Sequence, residues 1–288
     1  MQSRVPLSEV ITIQDFSVTL LRRPVGVGHF AEPTLLFLHG RCGLSAAWQP
    51  LIDALGDRFG YALFDFPGFG HSAAWGGRKI PFPEMIALTI QILDHQAPGK
   101  VILIGHDTGG AIAQACAVER PDRVAALVLI NAACVTQALS PLIWRFLPLR
   151  IRRRYEALLR PSQALAPHHR DLLGQCIRDR HARRSWMQAL RRIQRSWPEA
   201  EARLKWQQSV ARIARPVLML WGGRDWLCPP ESAHHMLRHL PDAHYFQNDD
   251  CGHWPFLEAT AWTASKIREF LFHIETPADS IVMRSTRG

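Results

Sequence analysis

The sequence lacks the features that would place it in several large classes of protein. Its 288 residues contain no apolar run of the roughly 18 to 20 residues that cross a bilayer, and it begins without the apolar stretch of a secretory signal. Charged residues make up only 20% of the chain and hydrophobic ones 47%, which excludes wholesale disorder. We expect one large domain with an insertion, located in the cytoplasm and not inserted in a membrane.

Cysteine is scarce and has no pattern. The six cysteines form no Cys-x-x-Cys pair and have no zinc-like spacing with histidine. The sequence therefore predicts reduced thiols rather than a disulfide framework. It also predicts no metal site and no organic cofactor.

The net charge is +9, most of the basic residues are arginines, and fourteen of the arginines lie between Arg145 and Arg195. Such a cluster can bind nucleic acid, membrane headgroups or an anionic substrate, or can form a solvated helical face. No nucleic-acid-binding motif is present, and no aromatic residues are interleaved as a stacking platform. We favour the solvated face and expect no nucleic-acid partner.

Short apolar runs alternate with helical patterns through most of the chain. Continuous apolar strands joined by helices are typical of a parallel sheet covered on both faces. The sequence predicts a doubly wound, mostly parallel α/β sheet of about eight strands, built from residues 1–132 and 214–275. Residues 133–213 contain leucine, arginine and tryptophan at helical spacing and predict an all-helical cap. We expect one last helix over Phe256–Phe272 and a frayed tail over residues 276–288.

Glycines surround an aspartate in the segment Gly105-His106-Asp107-Thr108-Gly109-Gly110. This segment follows a predicted strand and precedes a predicted helix, which is the context of a nucleophile elbow, Gly-x-Nuc-x-Gly. The glycines allow close packing of strand, turn and helix. Asp107 takes the place of the usual serine. The alternative is a simple helix N-cap, a role that aspartate also fills.

Two later loops complete a candidate catalytic triad. Asp225 follows the predicted strand Val217–Trp221, and His253 precedes the last helix. Nucleophile, acid and histidine in this chain order are typical of one α/β fold. We therefore predict a triad of Asp107, Asp225 and His253.

At these residues the chain resembles the α/β-hydrolase superfamily over most of its length. The matching residues are His39-Gly40, Asp65-Phe66-Pro67-Gly68-Phe69-Gly70-His71-Ser72, the elbow, Asp225 and Gly252-His253. The Gly-His-Asp-x-Gly-Gly elbow is similar to that of haloalkane dehalogenases, haloacid-type dehalogenases of this fold and epoxide hydrolases. Those families use an aspartate nucleophile and carry a helical cap.

The resemblance implies a hydrolase that forms a covalent ester on Asp107. A carboxylate is already ionised at neutral pH and can attack an sp3 carbon, cleaving a carbon–halogen bond or an epoxide carbon–oxygen bond. Two alternatives remain: a hydrolase of strained acyl rings such as β-lactones, and a non-hydrolytic or binding protein on the same scaffold. In each case we expect a small-molecule substrate and a monomer or homodimer.

The resemblance also implies where the substrate is held. By the rule of the fold, the oxyanion hole is formed by the backbone N–H groups of Arg41 and Thr108. We expect an apolar pocket between core and cap. Its predicted walls are Trp48, Phe66, Trp254, Trp144 and Tyr155.

The residues that would assist a leaving group depart from each family. Haloalkane dehalogenases usually place tryptophan after the nucleophile and haloacid-type enzymes arginine, but this chain has Thr108. Arg41 stands where asparagine often binds halide, and its side chain either crosses the pocket or turns outward. Epoxide hydrolases use two cap tyrosines, but the insertion contains only Tyr155. The substrate and leaving group therefore stay open.

Overall fold

The computed structural model describes residues 7–13, 16–23, 33–40, 43–67, 69, 72, 82–96, 99–133, 208–225 and 227–275. Of the predicted cap, only Ala133 and residues 208–213 lie within this range. The cap residues Trp144 and Tyr155, Arg41, the arginine-rich segment and the predicted tail all lie outside the described residues.

The described residues include eight strands. They are β1 (Leu7–Ile13), β2 (Phe16–Arg23), β3 (Thr34–Leu38), β4 (Tyr61–Phe64), β5 (Val101–Asp107), β6 (Val124–Ala132), β7 (Val217–Gly222) and β8 (Ala243–Asn248). The described helices are α1 (Gln49–Leu55), α2 (Phe82–Gln96), α3 (Thr108–Glu119), α4 (Pro230–Leu237), α5 (Pro255–Glu258) and α6 (Thr260–Glu275), with a 3-10 turn over Ser45–Trp48 before α1.

All eight strands form one sheet in the order β1-β2-β4-β3-β5-β6-β7-β8. The pairs β1/β2 and β2/β4 are antiparallel, and every other neighbouring pair is parallel. The predicted mostly parallel, eight-stranded α/β sheet is confirmed. Because β3, β5, β6 and β7 are parallel neighbours, the loops after them open at the same edge of the sheet.

Each face of the sheet has its own hydrophobic core. Successive side chains of a strand point to opposite faces, so Val101 and Leu103 pack in one cluster while Ile102 and Ile104 pack in the other. All four are buried, which explains why β5 is continuously apolar rather than alternating. Within the described residues, no helix has the length and apolar character needed to cross a membrane.

The final helix differs from its prediction. The expected single helix over Phe256–Phe272 is divided at Ala259, which leaves the helical region with φ −138° and ψ 57°. The Thr260 hydroxyl donates to the Phe256 carbonyl at 2.9 Å and so satisfies one of the acceptors left at the end of α5. The periodicity of apolar residues continues across the break, and for that reason the sequence gives no sign of it.

Candidate active site

The turn between β5 and α3 has the geometry of a nucleophile elbow. Asp107 is the last residue of β5, and its φ of 50° and ψ of −121° lie in a region that non-glycine residues rarely adopt. Within the described residues, its side chain makes no capping hydrogen bond to α3. The structure therefore favours the elbow over the alternative of a simple N-cap.

The glycines of the elbow are explained by close packing. A Cβ on Gly105 would lie 2.6 Å from the Gly109 carbonyl oxygen, and one on Gly109 would collide with the Leu38 carbonyl group of β3. A Cβ on Gly40 would lie 2.5 Å from the Cβ of Asp107. The close approach of strand, turn and helix that the sequence predicts is present, and it fixes the position of Asp107.

The structure brings the three predicted catalytic side chains together. His253 Nδ1 donates to Asp225 Oδ2 at 2.7 Å, and His253 Nε2 lies 3.3 Å from Asp107 Oδ2. All three residues are buried. The imidazole thus bridges two carboxylates, although 146 residues separate it from Asp107 in the chain.

Asp225 is held as a carboxylate by a dense set of donors. Its Oδ1 accepts from the backbone N–H groups of Leu227 at 2.8 Å and Cys228 at 3.1 Å, and its Oδ2 accepts from the Asn131 amide at 2.5 Å. Burial alone would raise the pKa of Asp225. The positive charge of His253, with the hydrogen bonds from His253 and Asn131, outweighs burial and lowers that pKa.

His253 carries a positive charge while both carboxylates face it. Burial opposes that charge, but Asp225 and Asp107 together raise the pKa of His253 to about 9. The charge and the hydrogen bond of Asp107 both contribute to this increase. The protonation of His253 therefore depends on whether Asp107 is ionised.

Two further histidines beside the site are neutral. Burial lowers the pKa of His106 to about 3, and its Nε2–H donates to the His253 carbonyl oxygen at 2.8 Å. Burial likewise lowers the pKa of His39. His39 Nδ1 donates to the Gly40 carbonyl at 2.8 Å, and its Nε2 accepts from the Phe66 N–H at 2.9 Å. Through these hydrogen bonds, both neutral rings hold the loops around the site in position.

Sequence reasoning missed two residues that support the triad. Asn131, near the end of β6, binds Asp225, and its Oδ1 accepts from the Gly222 N–H at 3.0 Å. The carboxylate of Glu258 accepts from the N–H groups of Gly252 at 2.9 Å and Trp254 at 3.0 Å, on either side of the histidine. A polar residue ending a continuous apolar strand was a usable signal for Asn131. No comparable signal marked Glu258.

The predicted pocket walls of the core are tightly packed. Trp48 is 1% exposed and stacks on Phe256 with ring centroids 4.3 Å apart, inside the core cluster that also holds Trp254. Phe66 is also 1% exposed and contacts His39 edge-on. Trp254 contacts the His253 ring at 5.0 Å. Trp254 and Phe66 are thus adjacent to the site, and the contact of all three with a substrate stays a prediction.

One group of donors has the composition of a metal site. The ligand atoms of Asp225, Cys228 and His253 all lie within 4.8 Å of one another. Asp225 and His253 are already bound to each other at 2.7 Å, so a cation here would have to displace that hydrogen bond. The arrangement fits a catalytic acid and base better than a resident metal.

Comparison with known proteins bears on the fold of the chain. The family model described as alpha/beta hydrolase fold matches residues 33–260. A pimeloyl-[acyl-carrier protein] methyl ester esterase of Aliivibrio salmonicida is 26% identical over 247 residues, covering 82% of this chain and 91% of the esterase. Haloalkane dehalogenase 2 of Mycobacterium tuberculosis is 28% identical over 243 residues, covering 76% of this chain and 83% of the dehalogenase.

Solved structures show the same architecture. A serine hydrolase involved in carbazole degradation superposes with a TM-score of 0.74 at 18% identity, covering 93% of this chain and 99% of that protein. A thermophilic esterase superposes with a TM-score of 0.74 at 19% identity, covering 94% of this chain and 99% of the esterase. At these identities the similarity establishes a shared fold.

Proposed function

The chain belongs to the α/β-hydrolase fold family, and we propose that it hydrolyses its substrate through a covalent alkyl ester on Asp107. The bond cleaved is a carbon–halogen bond or the carbon–oxygen bond of an epoxide in a small organic molecule. The position of Asp107 carries this proposal: a carboxylate, not a hydroxyl, occupies the apex of the elbow, 3.3 Å from His253 Nε2.

An aspartate at this position favours attack on saturated carbon. Its attack on an ordinary ester would give a tetrahedral intermediate that expels the Asp107 carboxylate more easily than the alkoxide, so the intermediate reverts to the ester and little mixed anhydride forms. Attack on an sp3 carbon displaces halide, or opens a strained ring, and leaves a stable ester. The first step therefore needs no base.

The second step needs His253 as a base. Esterification removes the negative charge of Asp107, and with it two of the interactions that raise the pKa of His253. The imidazole then gives up its Nε2 proton more easily, to the alkoxide of an opened epoxide or, after halide displacement, to solvent, and can accept one from water at Nε2, while Asp225 holds Nδ1. The first step thus prepares the base that the second step uses.

The surroundings of the triad complete the proposal. In this proposal the backbone N–H of Thr108 stabilises the oxyanion and Trp48, Phe66 and Trp254 line the pocket, while the roles predicted for Arg41, Trp144 and Tyr155 fall outside the described residues. No metal or organic cofactor takes part in this sequence of steps.

A second candidate is hydrolysis of a carboxylic ester or a strained acyl ring. The pimeloyl ester esterase is about as similar to this chain as the dehalogenase is, and this similarity supports acyl hydrolysis as the second candidate. In that case His253 activates water directly against the substrate, and no covalent ester on Asp107 is formed.

Replacing His253 with glutamine separates the two candidates. His253→Gln should permit the first step and block the second, so that the enzyme gains the mass of the substrate fragment. We would incubate it with 1-bromohexane, chloroacetate, styrene oxide and β-butyrolactone and map any adduct by peptide mass spectrometry. His244→Gln, which changes an exposed histidine, is the matched control and should turn over without an adduct.

Oxygen-18 water gives an independent test of the same step. In a single turnover of the wild-type enzyme, the label should enter the Asp107 carboxylate and be absent from the first product, because water attacks the carbonyl carbon of the enzyme ester. Label in the first product, with no adduct on His253→Gln, would show that Asp107 is not the nucleophile.

A further inference from the structure

The two carboxylate oxygens of Asp107 have different partners. Oδ2 lies 3.3 Å from His253 Nε2, whereas Oδ1 accepts a hydrogen bond of 2.8 Å from the hydroxyl of Thr108. Thr108 is the first residue of α3 and is buried. The side chain that follows the nucleophile therefore reaches back to the nucleophile itself.

We propose that the Thr108 hydroxyl is a catalytic donor that stabilises the oxyanion on Oδ1 and leaves Oδ2 as the attacking atom. This inference rests on the proposed function, since it assigns roles within the same two-step reaction. It adds a side-chain donor to the backbone N–H groups that the fold supplies.

The positions of the two oxygens match what each must do. In the first step Oδ2 forms a bond to the substrate carbon, the bond to the leaving group breaks with its electron pair on that group, and Oδ1 becomes the ester carbonyl oxygen. In the second step water gives a proton to His253 Nε2 and its oxygen bonds to the carbonyl carbon, moving an electron pair onto Oδ1.

Collapse of the tetrahedral intermediate returns that electron pair and breaks the bond from the carbonyl carbon to Oδ2. Oδ2 leaves with the product as an alkoxide and takes the proton from His253 Nε2. That transfer requires the attacking oxygen to lie on the histidine side, where Oδ2 is. Oδ1 stays beside Thr108 throughout, as a carbonyl oxygen and then as an oxyanion.

Thr108 should accelerate the second step and not the first. A hydrogen bond to an ionised acceptor is roughly twice as strong as one to a neutral acceptor. In the first step Oδ1 loses charge as the carboxylate becomes an ester, so the donor gives no assistance. In the second step Oδ1 gains charge, so the donor stabilises the transition state selectively.

Thr108→Val and Thr108→Ser provide the test. Valine keeps the shape of threonine and removes the hydroxyl, whereas serine keeps the hydroxyl. With the compound that labels His253→Gln, Thr108→Val should lose roughly 10²- to 10³-fold in kcat, as expected for one lost oxyanion donor. It should also accumulate the Asp107 ester during turnover although His253 is intact. Thr108→Ser should restore kcat to within a few fold and abolish the accumulation.

The outcomes distinguish the two proposals. If His253→Gln traps the ester while Thr108→Val turns over like the wild type without accumulating it, Thr108 is no oxyanion donor and the proposed function stands. Equal slowing of both steps in Thr108→Val, measured by rapid-quench mass spectrometry, would show a merely structural role. If no compound labels His253→Gln, both proposals fail. Circular dichroism of each variant verifies that it is folded.

Discussion

Asn131 and Asp225 are joined by a hydrogen bond of 2.5 Å, from the amide Nδ2 of Asn131 to Asp225 Oδ2. Asn131 lies near the carboxyl end of β6, and Asp225 lies in the loop that follows the neighbouring strand β7. Asn131 adopts a φ of 40°, one of two positive values among described non-glycine residues, and the other belongs to Asp107. Because the same Oδ2 also accepts from His253, Asn131 sets the direction in which the acid faces the imidazole.

Loss of the Asn131 amide should reduce turnover without unfolding the protein. Asn131→Gly keeps a residue that tolerates a positive φ and removes the side-chain hydrogen bonds to Asp225, Gly252 and Gly222, so it isolates the role of the amide. Hydrogen bonds to charged groups are worth roughly 1.5–3 kcal/mol, and we expect kcat to fall about tenfold to hundredfold. The pH dependence of kcat should shift as well, because Asp225 loses a donor that lowers its pKa. Unchanged kcat and an unchanged pH profile would show that Asn131 does not affect the function of Asp225.

The stability of the protein should decrease on both sides of a pH near 6.5. The folded-state pKa of His253 is raised from 6.5 to about 9, so the stabilisation from its proton is complete below pH 6.5 and is lost as the pH rises through about 9. The folded-state pKa of His106 is lowered from 6.5 to about 3. Between pH 6.5 and about 3, His106 is protonated in the unfolded chain but stays neutral in the folded protein. The free energy of unfolding therefore falls as the pH drops through this range.

Calorimetric melting of the wild type and His253→Gln between pH 4 and 9.5 measures this dependence. The difference in Tm between the two proteins should change between about pH 6.5 and 9 and be level below that window. The decrease on the acid side should persist in His253→Gln, because His106 is unchanged. A constant difference in Tm across the alkaline range would contradict the raised pKa of His253.

Glu258 should determine how firmly the loop around His253 is held. Glu258→Ala removes the acceptor of both the Gly252 and the Trp254 N–H groups, at a cost of about 1–3 kcal/mol in the free energy of unfolding. We expect a lower kcat together with this loss. Glu269→Ala is the matched control, since its carboxylate is 53% exposed and binds only neighbours on α6 in the described contacts. It should leave the midpoint of urea denaturation nearly unchanged. Equal effects of the two variants would remove the role assigned to Glu258.

Gly109→Ala should be strongly destabilising. Its Cβ would meet the backbone carbonyl group of Leu38, which cannot move without disturbing β3. Forced overpacking of this kind costs roughly 1–3 kcal/mol or more. Gly99→Ala is the control because, apart from its chain neighbours, no atom of the described residues lies within 4 Å of its Cβ position. Similar Tm values for the two alanine variants would show that the elbow is looser than the structure indicates.

The sheet was predictable because buried parallel strands have a simple sequence pattern. Runs such as Val101–Ile104 are apolar at every position since both faces of a parallel sheet are buried, and the glycines beside Asp107 mark a turn that only small residues fit. Asp225 and His253 could be placed together because the carboxyl ends of parallel strands lie at the same edge of the sheet. Chain order and strand polarity therefore carried most of the information about the site.

The supporting contacts could not be derived in the same way. Asn131 acquires its function from Gly222 and Asp225, which lie 91 and 94 residues further along the chain. Glu258 lies within the single long helix that the sequence predicts, where nothing distinguishes it from other acidic residues. The break at Ala259 and the hydrogen bond from Gly252 to Glu258 both depend on tertiary packing. Local patterns say where such residues lie in the chain, and only the assembled fold says what they touch.

The backbone at position 107 has a consequence for the evolution of new reactions on this fold. Its strained conformation is fixed by Gly40 packed against the Asp107 Cβ and by the Ala133 N–H bound to the Asp107 carbonyl at 2.8 Å. The shorter of the two approaches to Gly40 is that of the Asp107 Cβ, and the hydrogen bond involves the backbone alone. A serine at this position would have the same backbone frame and face the same imidazole, so the proposed choice of alkyl over acyl chemistry depends on one side chain and not on the scaffold that carries it.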